Sequence, residues 1–123
     1  MTPPLCSGAQ EFGCMDAVAL KLSKFGGLSA LRRACDLCIH LGAKMCIEDA
    51  WGSDIAMAAA LHLAAAPAPD RVLNVCDLSG YVRPRLDPDG LTRKSGMIAP
   101  GAAPGLGVRP DPDRLGVPIA VFD

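Results

Sequence analysis

Two lysines three residues apart, Lys21 and Lys24, stand just before the double glycine Gly26-Gly27. A lysine can take a proton from carbon only when its pKa is lowered toward neutrality, by desolvation or by a second cation. Lys21 lies in the apolar run Ala17-Val18-Ala19-Leu20-Lys21-Leu22, where its neighbours can desolvate it. Lys24 could be the second cation, or merely a solvated charge at a loop. Carboxylates and the single tryptophan recur in comparable places downstream, in Glu48-Asp49-Ala50-Trp51 and at Asp77. A base grouped with carboxylates suits proton transfer and the orientation of a small polar substrate. Each residue also has a plainer use. Lys21 could snorkel or sit at an edge, Glu48 and Asp49 could be loop carboxylates, Trp51 could pack locally, and Asp77 could cap the turn toward Gly80. His40, near a helix end, reads as a surface dipole partner, and His62, on an alanine-rich helix, as structural.

The elements that must position these groups are legible from periodicity. Residues 16–23 alternate Val18, Leu20 and Leu22 with Ala17, Ala19 and Lys21, a period of two. With both faces largely apolar, this strand is expected to be parallel and buried on both sides. Gly26-Gly27 turns the chain into a helix over 28–41, where Leu28, Leu31, Cys35, Cys38 and Leu41 form one stripe and Gly42 closes the end. A second strand spans 43–48. A second helix runs from 55 to 66, capped by Ser53 or Asp54 and stopped by Pro67-Ala68-Pro69. A third strand covers 71–76 and ends at Asp77. The order is therefore β-α-β-α-β, with crossovers that make parallel neighbours. Residues 1–13 read as a poorly ordered lead-in. From Gly80 onward Pro and Gly dominate, Asp87-Pro88-Asp89-Gly90 marks a turn, and Ile119–Phe122 is a candidate terminal strand. That segment is either a wrapped tail or partly disordered.

Composition removes several classes of function. The net charge is -1 and no basic run stands out, so nucleic-acid binding has no support. The longest apolar-rich run, Ile55 to Ala66, is too short and too rich in alanine to span a bilayer. Met1-Thr2-Pro3-Pro4 has neither a charged nor an apolar leader region, which points to the cytoplasm. There are 6 cysteines. Without a secretory leader a disulfide framework is not expected. Cys35-Asp36-Leu37-Cys38 has the spacing of a zinc or redox pair, but both thiols fall mid-helix on the apolar stripe, which makes them core positions.

Taken together, Asp16–Leu28, Ile47–Ala56, Asn74–Tyr81 and the stretch from Pro104 to Phe122 resemble, in order, the sixth strand, seventh strand, eighth strand and chain end of the enolase superfamily. The subgroup is the mandelate racemase/muconate lactonizing enzyme family. The K-x-x-K-x-G-G pattern carries the acid/base lysine of that family, which matches Lys21. The resemblance implies an α/β fold, a partial (β/α) TIM-type barrel made of the last three parallel strands, at 14–80, with an irregular wrapped tail at 81–123. It implies a dehydratase or racemase that abstracts a proton next to a carboxylate, with Mg2+ as cofactor and a small carboxylate or amino acid such as a hydroxyproline as substrate. Asp49, Trp51 and Asp77 would bind that substrate. The family's metal ligands lie on the third to fifth strands, so no metal ligand is assigned in this chain. A closed barrel needs roughly 200 residues or more, and the chain has 123. It therefore reads as the carboxyl-terminal part of such an enzyme, inactive alone, with the missing amino-terminal barrel portion or a homo-oligomer as partner. The competing reading is a non-enzymatic α/β interaction module that associates through exposed sheet edges.

Overall fold

The structure is a computed structural model, and it describes residues 8–49 and 51–121. Residues 8–11 are helical, whereas their sequence has no helical period. Three parallel strands follow: β1 (Ala17–Lys21), β2 (Lys44–Glu48) and β3 (Val72–Cys76), in the order β1-β2-β3. Helix α1 (Leu28–His40) joins the first two, and α2 (Ser53–Ala65) joins the second and third. The β-α-β-α-β order expected from periodicity is the order found.

Local chemistry explains the boundaries. β1 stops at Lys21, and a 3-10 turn at Leu22–Lys24 leads to Gly26 and Gly27, both at positive φ. At the other end of α1 the chain leaves through Gly42, at φ 75. The Ala43 amide donates to the Cys38 carbonyl at 2.9 Å and the Gly42 amide to the Ile39 carbonyl at 3.1 Å. These two bonds are the Schellman arrangement, which needs a left-handed residue at that position. α2 begins two residues earlier than its sequence suggests. Neither Ser53 nor Asp54 is the flanking cap; Gly52 takes that place without a side-chain bond. Asp54 is buried within the first turn, where its carboxylate is drawn to Arg85.

Val18 and Leu20 of β1, with Met45 and Ile47 of β2, point toward the helices and pack with Leu31, Cys35 and Cys38 of α1 and with Ala60 and Leu63 of α2. Cys35 and Cys38 are thus core residues, as their place on the stripe implied. Burial of the Cys35 thiol pushes its pKa up. A second cluster forms on another side of α2, where Met57, Ala58 and Leu61 meet Leu91, Ile98, Leu106 and Val108. α2 is apolar nearly all round because the sheet takes one side and the chain after β3 takes another.

The expectation of a strand buried on both faces is not met. Ala17 and Ala19 are exposed, as are Lys44 and Asn74. Among the described residues nothing covers the second face of the sheet. Alternation along β1 places Lys21 on that open face with Ala17 and Ala19.

The chain after β3 is irregular but well fastened. A 3-10 turn at Ser79–Tyr81 is followed by the Asp87–Gly90 turn, with the Gly90 amide on the Asp87 carbonyl at 3.3 Å. A short antiparallel hairpin, β4 (Arg93–Lys94) and β5 (Met97–Ile98), turns on Ser95 and Gly96, both at positive φ. The hairpin escaped the sequence reading because its strands are two residues each. Gly101 and Gly107 press backbone to backbone, and a Cβ on Gly101 would sit 2.5 Å from the Gly107 carbonyl oxygen. After helix α3 (Pro112–Leu115) the described chain is irregular, with bends at Val117 and Ile119. The candidate strand at Ile119–Phe122 does not form over its described residues: Ile119 and Val121 are exposed with no ladder, and Phe122 lies outside the described residues.

Candidate active site at the carboxyl end of the sheet

Parallel strands bring their carboxyl ends together, so Lys21, Glu48 and Cys76 end up side by side. The register pairs Lys21 with Glu48 and Glu48 with Cys76. The Lys21 Nζ stands 3.8 Å from the Glu48 Oε2, and each side chain is 31% exposed. The lysine is therefore held against a carboxylate on the open face, and its desolvation would require something to cover that face. One row below, the Cys46 thiol donates to the Asn74 side-chain oxygen. Partial burial raises the Cys46 pKa, and the nearby Glu48 and Cys76 raise it further, so this thiol is kept in its neutral form. Lys24 is exposed in the 3-10 turn.

Asp49 follows Glu48 and turns the other way. It is 0% exposed. One carboxylate oxygen accepts from the Ser79 amide at 2.8 Å and from the Ser79 hydroxyl at 2.5 Å; the other accepts from the Trp51 amide at 3.3 Å. Trp51 has φ 60, a left-handed conformation uncommon for a bulky side chain and worth on the order of 1–3 kcal/mol of strain. Trp51 is 55% exposed as a residue and Tyr81 79%, and their rings meet with centroids 6.3 Å apart and planes at 37°. Asp77, at the end of β3, accepts from the Gly80 amide at 2.8 Å, which is the turn cap weighed from sequence, and also from Nε and Nη2 along one edge of the Arg93 guanidinium. The Arg93 hydrogen bonds hold the Asp77 carboxyl below the usual carboxylate range; burial opposes this, while the charge of Arg93 and the Gly80 amide add to it.

The structure thus brings Lys21 to Glu48 and Trp51 to Asp49, while Asp77 is committed to Arg93. Sequence reasoning passed over Ser79, Tyr81, Arg85 and Arg93. Tyr81 carried a usable signal, as the only tyrosine of the chain, five residues past a strand end. The two arginines had none, because their partners are fixed by the path of the tail. Arg85 grips Asp54 through a 2.7 Å contact and also bonds the Leu91 carbonyl at 3.2 Å. The Asp87 amide donates to the other Asp54 oxygen, and Asp87 in turn accepts from the Arg109 amide at 2.7 Å. His62 reaches the Leu106 carbonyl oxygen at 3.2 Å, the structural part its setting suggested.

With this geometry in view, residues 8–114 match the family described as enolase C-terminal domain-like. The chain is 39% identical over 108 residues to a cis-3-hydroxy-L-proline dehydratase of Roseibium aggregatum, covering 88% of this chain and 29% of that protein. It is similar to a solved enolase-superfamily member from Roseovarius nubinhibens ISM complexed with magnesium, at TM-score 0.88 and 34% identity, covering 98% of this chain and 33% of that one. A mandelate racemase/muconate lactonizing enzyme from the same organism aligns at TM-score 0.85 and 34% identity over 95% of this chain and 32% of its own. The chain spans about a third of the length of these relatives. Its parallel sheet and helices match the carboxyl-terminal barrel portion of such enzymes.

Magnesium takes oxygen ligands in near-octahedral geometry. Among the described residues no group of three or more His, Cys, Asp or Glu is placed to hold a metal ion. The strand-end carboxylates are already engaged, Asp49 by Ser79 and Trp51, Asp77 by Arg93 and Gly80. These described residues do not by themselves fit a magnesium site. Among the described residues no helix is long and apolar enough to cross a membrane.

Proposed function

Because the chain belongs to the enolase C-terminal domain-like family, matched over residues 8–114, we propose that it supplies the lysine-bearing wall of an active site that removes a proton next to a carboxylate. Lys21 is the proton carrier. The observation that carries this reading is its place at the carboxyl end of β1, on the open face of the sheet. Its Nζ would take the proton from the carbon beside the substrate carboxylate. In a dehydration the electron pair left on that carbon forms a double bond to the next carbon, whose hydroxyl leaves with its own bonding electrons and becomes water on taking up the proton that Lys21 returns directly or through solvent. Trp51 and Asp77, at neighbouring strand ends, form part of the substrate-facing rim. The substrate is a small amino acid of the hydroxyproline type, which the 39% identity to the Roseibium aggregatum dehydratase supports. A cytoplasmic setting belongs to the same reading.

Charge that develops on the substrate carboxylate needs preorganised electrophilic stabilisation, usually the largest catalytic contribution. The described residues offer no metal cluster for it, so magnesium and its ligands must come from outside them. Accordingly, the 123-residue chain alone should not turn over cis-3-hydroxy-L-proline, with or without Mg2+. A chimera in which residues 8–114 replace the matching portion of the Roseibium aggregatum relative should dehydrate it. Lys21→Ala in that chimera should cost at least ~10^2-fold in kcat, the scale of a lost general base. An unimpaired Lys21→Ala chimera would remove the proposal.

A further inference from the structure

The buried carboxylate of Asp49 needs a use, since neither oxygen is left open toward a substrate. We infer that Asp49 is a positioning residue, whose carboxylate ties the loop after β2 to the turn after β3 and so holds Trp51 and Tyr81 together as one aromatic wall. The tie stands on geometry. The purpose of the wall, to lie against the hydrocarbon face of a small ring-bearing substrate at the lysine-bearing end of the sheet, rests on the proposed function.

Three donors converge on the two Asp49 oxygens: the Trp51 amide, the Ser79 amide and the Ser79 hydroxyl. An ionised carboxylate, which only accepts, satisfies all three, whereas an asparagine would turn a donor toward one of them. Two of the donors bracket the aromatic pair, since Trp51 is itself one and Ser79 starts the 3-10 turn that ends at Tyr81. Ser79 is buried like Asp49, so the tie lies beneath the rings and away from solvent. The rings, by contrast, are exposed, and their contact with each other is too tilted and open to fix two loops on its own. Trp51 also keeps a left-handed backbone, and the bond from its amide to Asp49 spans the residue before it. A side chain that reaches two residues along the chain in this way is a common means of holding such a turn. With Asp49 truncated, both loops lose their shared anchor, and the two rings are free to part.

The chain holds one tryptophan and one tyrosine, so a spectroscopic test reads this pair and nothing else. In the full 123-residue chain, Tyr81-sensitised emission of Trp51 is measured, with Tyr81→Phe as the zero-transfer reference and far-ultraviolet circular dichroism as the check on folding. Asp49→Ala should lower the sensitised emission below wild type while the helical signal persists. Asp49→Asn, which keeps one accepting oxygen, should retain an intermediate level, and Ser79→Ala, which removes one of three donors, should lie between wild type and Asp49→Ala. A folded Asp49→Ala chain with wild-type transfer overturns the inference. If Asp49→Ala does not fold, Ser79→Ala decides: reduced transfer supports the tie, and unchanged transfer overturns it. Failure of the chimera to dehydrate substrate would count against the function alone, since the optical readout needs no turnover.

Discussion

Asp77 shows how one side chain can serve two masters. Its Gly80 bond is local, three residues along, and could be read directly from Asp77-Leu78-Ser79-Gly80. Its bond to Arg93 spans sixteen positions and depends on where the hairpin carries the guanidinium, which no spacing rule foretells. The pairing depresses the Asp77 pKa in the folded chain. A carboxylate with a depressed folded pKa stabilises the fold above its unfolded value of about 3.9, and that contribution fades as pH falls through the folded value. Arg93→Met should therefore lower stability at neutral pH by roughly 1.5–3 kcal/mol, the usual scale for hydrogen bonds to a charged group. It should also flatten the fall in stability below about pH 4. Urea unfolding at stepped pH measures both, and an unchanged acid limb in the variant would show that the pair is not what sets it. The place of Lys21 was legible locally too, from the alternation of its strand, while its partner Glu48 became visible only once the parallel register was known.

At the scale of elements, the strand–helix order was legible because short apolar alternations, a glycine pair and a helical stripe all agree with one another. Gly42 is the sharpest case. The Schellman bonds from Gly42 and Ala43 require its left-handed backbone, and the open space around it means that conformation, not crowding, decides what may stand there. Gly42→Ala should cost about 1–2 kcal/mol, the usual penalty for a side chain in that region, seen as an earlier urea midpoint with an unchanged slope; a midpoint that does not move would contradict it. What escaped the sequence has equally specific causes. Asp54 looked like a cap because aspartate favours that position, but its carboxylate is drawn to Arg85 instead. The alternation of β1 looked two-sided because Ala17 and Ala19 are apolar, although alanine is also tolerated on an exposed face. Ile119–Phe122 looked like a strand because it is apolar and partly β-branched, but a strand also needs a neighbouring edge within reach.

For the molecule as a whole, the decisive property is asymmetry. Helices cover one face of the three-stranded sheet, and the other carries Ala17, Ala19, Cys46 and Asn74 without a second layer among the described residues. Among the described residues β1 and β3 each have one strand neighbour, so each also presents an unpaired edge. Such edges invite pairing with another chain. The 123-residue chain should accordingly show a light-scattering mass that rises with concentration, and Ala19→Lys, placing a charge on the open face beside the β1 edge, should suppress the rise. A single-chain mass at every concentration would rule this out. The fastening of the tail has a different consequence, which concerns time. A chain is made from its amino end, and domains begin to fold as they emerge. The sheet and α2 are complete by Cys76, whereas Arg85 and Arg93 come later. Asp54 and Asp77 are therefore synthesised as anions before their guanidinium partners, and the last third of the chain brings the clasp that neutralises them.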